Sequence, residues 1–190
     1  MIEGNLSNSN SLVVCPASLI LHWEKEIQKF MNPNILTPIR YNKQIINDII
    51  HPKSPQTVNT VVIISYDVLR KDQQLLSQYI WSNIILDEAH LIRNPKTLTS
   101  QAIFSLKSEF RILLTGTPIQ NQIEDLWSIM NFLLPEYLGT LPLPLFSTTT
   151  SFLYHYLYSL PLPLFSTTTS ILYHYHSQAP KFNYSINYLT

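Results

Sequence analysis

The sequence predicts an α/β protein, a parallel sheet flanked by helices, and three observations carry that reading. Short apolar runs rich in β-branched residues recur at Ser11–Cys15, Thr60–Ser65, Ile84–Leu86 and Arg111–Thr115. The stretches between them carry helical apolar spacing. Two of the runs end in compact polar clusters, Asp87-Glu88-Ala89-His90 and Thr115-Gly116-Thr117-Pro118. Continuous apolar strands separated by helices mark a parallel sheet covered on both faces. In such sheets the chemistry gathers at the carboxyl ends of the strands.

Taken in order, Ser11–Cys15 reads as a buried strand stopped by Pro16. Residues 18–30 read as a helix, with Leu19, Trp23, Ile27 and Phe30 on one apolar face and Glu24, Lys25, Gln28 and Lys29 on the other. Asn32-Pro33 ends it. A short strand over Ile35–Tyr41 and a short helix over Gln44–Ile50 precede a break at His51–Pro55. Thr60–Ser65 is a second strand, Asp67–Tyr79 a weak helix and Ile84–Leu86 a third strand. Thr97–Leu106 reads as a helix, Arg111–Thr115 as a fourth strand, and Ile123–Leu134 as a helix with Ile123, Leu126, Trp127 and Met130 inward.

Composition narrows the function classes. The 190 residues hold 12 Lys+Arg and 12 Asp+Glu, so no bulk basic field exists to hold nucleic acid or an anionic membrane; a local patch remains open. One cysteine, Cys15, excludes an intrachain disulfide and a multi-cysteine zinc site, which fits a reducing compartment. No stretch offers 18 uninterrupted apolar residues, so no spanning helix and no membrane partner are expected. Residues 1–11 carry no signal-peptide pattern and read as a disordered N-terminus.

The chain changes character at Thr140. Residues 140–190 carry a single charge, Lys181, and half of the 22 aromatic residues. LPLPLFSTTTSFLYHY from Leu141 returns as LPLPLFSTTTSILYHY from Leu160, a 19-residue tandem repeat differing only at Phe152/Ile171. Leu-Pro-Leu-Pro forbids a helix and a central strand. The tail reads as an irregular, low-complexity duplication lying outside the sheet, in preference to an aromatic or metal-binding motif built on Tyr154, His155, Tyr156 and their copies Tyr173, His174, Tyr175.

The two polar clusters carry the chemistry. An Asp at the end of a buried strand, here Asp87, can hold Mg²⁺ through water beside a nucleotide's phosphates. Glu88 can polarise an attacking water, and His90 can bridge to the neighbouring strand's loop. Gly116 allows a sharp turn, and Thr115 and Thr117 place hydroxyls at the same end of the sheet. Arg93 and Lys96 are the local cations best placed for DNA phosphate. Trp23 and Trp127 read as core packing, His22 as solvated and Cys15 as core.

Four segments in order then carry a resemblance. These are Leu12-Val-Val-Cys-Pro-Ala-Ser-Leu19 with Trp23, Glu26 and Phe30; Ile64-Ser-Tyr-Asp67; Ile85-Leu-Asp-Glu-Ala-His-Leu-Ile-Arg-Asn94; and Leu114-Thr-Gly-Thr-Pro-Ile-Gln-Asn121 with Leu126, Trp127, Asn131 and Pro135. They resemble motifs Ia, Ib, II (a DEAH box) and III of the Swi2/Snf2 family of DNA-translocating ATPases, within helicase superfamily 2. The resemblance covers residues 12–139. It implies a partial RecA-like sheet, the first motor lobe, with ATP and Mg²⁺ as cofactors, double-stranded DNA as partner and a nuclear location. It makes Asp87 the Mg²⁺ contact and Glu88 the water-positioning residue. His90 with Thr115, Gly116 and Thr117 becomes the coupling between nucleotide and DNA. Pro16, Ser18 and Ser65 fall where the lobe meets one DNA strand's phosphates, although Ser18 reads equally as a helix N-cap. Ser65–Asp72, Pro95–Thr97 and Leu138–Thr140 resemble the subfamily that strips TATA-binding protein from DNA. Ile92–Pro95 resembles the rival transcription-coupled-repair remodeller branch, and the protein partner implied is TATA-binding protein or a nucleosome.

A P-loop needs Gly-x-x-x-x-Gly-Lys-[Ser/Thr]. Gly4, Gly116 and Gly139 are the only glycines and none is followed by Lys. The expectation is a lobe 1 fragment without its P-loop strand and second lobe, inactive alone. The alternative is a non-catalytic DNA- or protein-binding remnant or a truncated, non-functional product.

Overall fold

The structure is a computed structural model, and it describes residues 10–50, 59–116, 123–135 and 173–176. Five parallel strands form the sheet: β1 (Ser11–Cys15), β2 (Leu36–Arg40), β3 (Asn59–Ser65), β4 (Ile80–Leu86) and β5 (Lys107–Leu113). A sixth, β6 (Tyr173–His176), runs antiparallel along β5, and the order is β2-β3-β1-β4-β5-β6. The helices are α1 (Ile20–Phe30), α2 (Lys43–Ile50), α3 (Tyr66–Lys71), α4 (Gln73–Leu76), α5 (Leu98–Phe104) and α6 (Ile123–Leu133).

Strand order and handedness divide the two faces. From β1 the chain crosses past β3 to the edge strand β2, and all later parallel crossovers run the other way, toward β5. Right-handed crossovers therefore place α1 on one face and α2 to α5 on the other. The period-2 alternation of the strands sorts with this. Leu12, Val14, Val62, Ile64, Ile84, Leu86 and Leu113 join a large core with residues of α2 to α6. Val13, Cys15, Val61 and Ile63 form a small one with Leu19, Ile20, Trp23 and Ile27 of the α1 region. The connections leave β1 and β4 on opposite faces, so a crevice opens outside their carboxyl ends.

Several sequence expectations change. Ser11 belongs to the sheet, and Asn10 is held just before it rather than in a disordered N-terminus. Asn10 is buried, donating to the Tyr79 hydroxyl at 2.9 Å and accepting from the Thr60 N–H. Phe30 is 70% exposed, and Ile20 takes its place on the buried face of α1. The weak helix after Asp67 is two short helices split at Asp72, whose carboxylate accepts from Tyr41 Oη at 2.7 Å and Lys43 Nζ at 3.3 Å. Those bonds, Tyr41's first, hold the Asp72 carboxyl below its usual range.

β4 begins at Ile80, not Ile84, because Trp81 is fully buried and Asn83 donates to Ser11 Oγ. β5 covers Lys107–Leu113, so Thr115 lies beyond it. Its buried Arg111 donates to the carbonyls of Phe132 at 2.8 Å and Leu106 at 2.7 Å. Trp127 is buried edge-on to Phe104, as expected of a core residue.

The tail was expected to lie outside the sheet, yet Tyr173–His176 pairs with Phe110–Leu113. An open strand edge is a template for any extended segment, and the β-prone second repeat copy meets that need. The first repeat copy lies outside the described residues, as do Thr117 and residues 1–9.

Candidate functional site

The crevice is built around Asp87. Its own N–H donates to Val14 O at 2.8 Å, which fixes the end of β4 against β1. On the other side Leu114 N donates to Leu86 O at 2.8 Å and Ala89 N donates to Leu114 O at 3.1 Å. The turn after β4 and the chain after β5 are thus joined by backbone at Leu114, with buried Thr115 next to the joint.

Past Asp87 the chain turns sharply. Glu88 adopts φ 55°, ψ 49°, the one left-handed non-glycine residue among those described. That conformation costs a side-chain-bearing residue about 1–2 kcal/mol. Such strain persists where the surroundings fix it, and it clusters at functional sites. The turn leads into a 3₁₀ segment, Ala89–Ile92, anchored by buried Ala89 and Ile92. It sets His90 Nδ1 3.0 Å from Glu88 Oε2, both side chains about 40% exposed. His90 was expected to reach across to the Thr115 loop; the structure instead puts its ring on Glu88 and leaves the cross-strand link to the Ala89 backbone.

Asp87 itself is held by neutral donors. Trp23 Nε1 donates to Oδ2 at 2.8 Å and the Glu88 N–H donates to Oδ1 at 2.9 Å. The buried Tyr66 hydroxyl donates to the Asp87 carbonyl at 2.7 Å. Cys15 lies beside it; burial, and then the Asp87 charge, push the thiol up to about 12. Burial first and then Asp87 push the Tyr66 hydroxyl well above its usual range. Both donors to the Asp87 carboxylate, the Trp23 indole and the Glu88 N–H, are uncharged. Trp23 had been read as core packing alone. Its apolar spacing hides a donor 64 residues from its acceptor, and no local pattern signals that.

Of the residues expected at DNA, Pro16 and Ser18 sit at the start of the α1 region, Ser18 exposed in the 3₁₀ turn Ala17–Leu19. Neither that turn nor α1 has a side-chain cap, so Ser18 is not an N-cap. Ser65 is buried and caps α3 by accepting from the Val68 N–H, which gives it a structural task. Lys96 is exposed, its ammonium 3.9 Å from the exposed Glu124. Arg93 is half-buried at the end of the 3₁₀ segment. At Gly116 an added Cβ would meet nothing within 4 Å and φ is not left-handed, so the turn does not require glycine.

Against a divalent cation the donor set fits in part. A carboxylate offers about four lone-pair positions and Asp87 uses two, leaving room for a water-held Mg²⁺. No three ligating side chains cluster among the described residues, so the remaining ligands would be water and phosphate oxygens. The phosphate-holding Gly-x-x-x-x-Gly-Lys-[Ser/Thr] loop does not occur in these 190 residues.

The family model of the SNF2-related domain matches residues 3–157. The chain belongs to that family. It is 42% identical over 130 residues to TATA-binding protein-associated factor BTAF1 of Arabidopsis thaliana, covering 68% of this chain and 6% of the relative. Human TATA-binding protein-associated factor 172 is equally similar, at 42% over 130 residues, 68% of this chain and 7% of its own length. The Sulfolobus solfataricus SWI2/SNF2 ATPase core in complex with double-stranded DNA superposes with a TM-score of 0.57 at 37% identity. That match covers 71% of this chain and 27% of the solved one. The five parallel strands and their helices are thus the RecA-like lobe expected from the sequence. Relatives of the BTAF1 and Mot1 kind support that branch of the family. The chain spans about 6% of the length of the first relative.

Proposed function

We propose that this segment is the metal-and-water half of an ATP-driven motor that tracks along double-stranded DNA, with TATA-binding protein as the cargo of the whole machine and the nucleus as its location. The observation that carries the reading is the Asp87–Glu88–His90 turn. It presents one carboxylate held by two neutral donors at the end of β4, and a second on a strained backbone beside an imidazole. Asp87 would hold Mg²⁺ through water, and Glu88, oriented by His90, would position the attacking water and take its proton. Mg²⁺, when bound, offsets charge on the phosphate oxygens. The backbone joint between Ala89 and Leu114 ties this turn to the chain that leads to Thr115 and Gly116, and these two with Thr117 are proposed as the coupling to DNA. Pro16, Ser18, Arg93 and Lys96 are the proposed phosphate-backbone contacts of this segment, and Ser65 acts there through its cap on α3.

These 190 residues alone are proposed not to turn ATP over, because no loop in them cradles the phosphates. The test is a graft. Residues 11–133 replace their counterpart in the Sulfolobus SWI2/SNF2 core, which supplies the rest of the motor. DNA-stimulated hydrolysis that falls about 10²–10³-fold in Glu88→Gln is expected. A well-folded graft with no Glu88-dependent turnover overturns the reading, as does Glu88-dependent turnover by the ungrafted chain.

A further inference from the structure

We propose that Trp23 is a positioning residue for Asp87: its indole N–H orients the carboxylate toward a divalent cation and ties it to the helix that starts at the Pro16–Ser18 turn. The inference rests on the functional reading above. It deepens that reading by assigning a task to a residue on a different element, 64 positions away in sequence.

The choice of donor matters. Indole N–H donates, never accepts and never titrates. A Lys or Arg in its place would orient Asp87 equally well but would cancel the charge that a cation needs. Trp23 takes one lone pair of Oδ2 and the Glu88 N–H takes one of Oδ1, so the carboxylate plane is fixed from both ends by uncharged donors. The Trp23 ring is fixed in turn. It packs into the small core of Val13, Cys15, Val61 and Ile63, and one edge therefore faces the end of β4.

Tyr66 repeats the device on the opposite face. It is the first residue of α3, directly after Ser65, and its hydroxyl donates to the Asp87 carbonyl. The two segments nearest the expected DNA strand, 16–19 and 65–67, thus each lead into a helix that places one neutral donor on the same residue. A shift of either helix moves Asp87 directly, without passing through the sheet.

The experiment uses the 190-residue chain with ¹⁵N-labelled backbone and indoles. The Trp23 indole signal is assigned by its loss in Trp23→Phe. The Trp81 indole, which donates to Leu76 O in the large core, serves as the internal check on folding. Asp87→Asn is expected to shift the Trp23 signal and leave that of Trp81 in place. A Trp23 signal indifferent to Asp87→Asn overturns the proposal. Mg²⁺ is then titrated while the Glu88 amide, which sits on Asp87 Oδ1, is followed. Trp23→Phe is expected to raise the half-saturating Mg²⁺ concentration roughly tenfold, the low end of what losing the partner of a metal-bound ligand costs. An unchanged midpoint, or no response to Mg²⁺ in the unsubstituted chain, also overturns it. Should Trp23→Phe disturb Trp81, 3-benzothienylalanine at position 23 keeps the ring shape and removes only the N–H. The functional reading stands or falls separately, on Glu88-dependent turnover by the graft, which still carries Trp23.

Discussion

The two faces of the sheet differ in how much they bury and in what they carry. The face under α2 to α6 holds a core of Leu, Ile, Val, Trp and Phe side chains, many of them fully buried. The face under α1 holds four buried strand residues, and α1 itself has no buried residue. The thick face is where apolar burial stabilises the fold. The thin face is where the donor to the Asp87 carboxylate comes from. A helix that is only half sunk can place an indole edge at the strand ends, whereas a fully packed helix has its side chains committed to the interior.

Three measurements sharpen or break this contrast. On the thick face, Trp81→Ala is expected to cost about 3–5 kcal/mol in denaturant unfolding, from the lost ring and the cavity left behind. Trp23→Phe on the thin face should cost well under half of that, since its acceptor is half-exposed and regains water. Equal losses would end the thick-versus-thin distinction.

Second, Cys15 lies on the thin face yet at zero exposure, with its thiol pushed up to about 12. Reaction with a disulfide reagent near pH 8 should run on the order of a thousandfold slower than for an ordinary thiol and climb as pH rises, becoming normal in denaturant. A fast native reaction would mean that α1 lifts away readily.

The smallest effect concerns the strained turn. Glu88→Gly should raise stability by about 1 kcal/mol by relieving the left-handed strain, while abolishing turnover in the graft. A stability loss would show that the Glu88 side chain contributes more through His90 than its backbone costs.

Much of this was legible beforehand. Continuous apolar runs located β1 and β3, and the polar clusters at Asp87–His90 and Thr115 follow the ends of β4 and β5, where the candidate site lies. The strands with mixed polarity were read short. Ser82 and Asn83 hide the start of β4, and Lys107 to Glu109 hide that of β5, because polar residues satisfied by neighbouring strands look like loop in sequence. Phe30 was misassigned since helical spacing tells which residues share a face, not where the face stops meeting the sheet.

The sequence by itself determined the class of fold, the succession of its strands and helices along the chain and the candidate carboxylates Asp87 and Glu88 at a strand end, because periodicity and strand-end polarity are local properties. Tertiary structure alone decided which groups face Asp87. Strand order brings β1 and β4 together and sends α1 to the far face, so Trp23, Tyr66 and Cys15 converge on one residue from three separate segments. It also decided that Tyr173–His176 lies along β5, since an open edge accepts any strand-prone segment that can reach it and nothing local in either partner names the other.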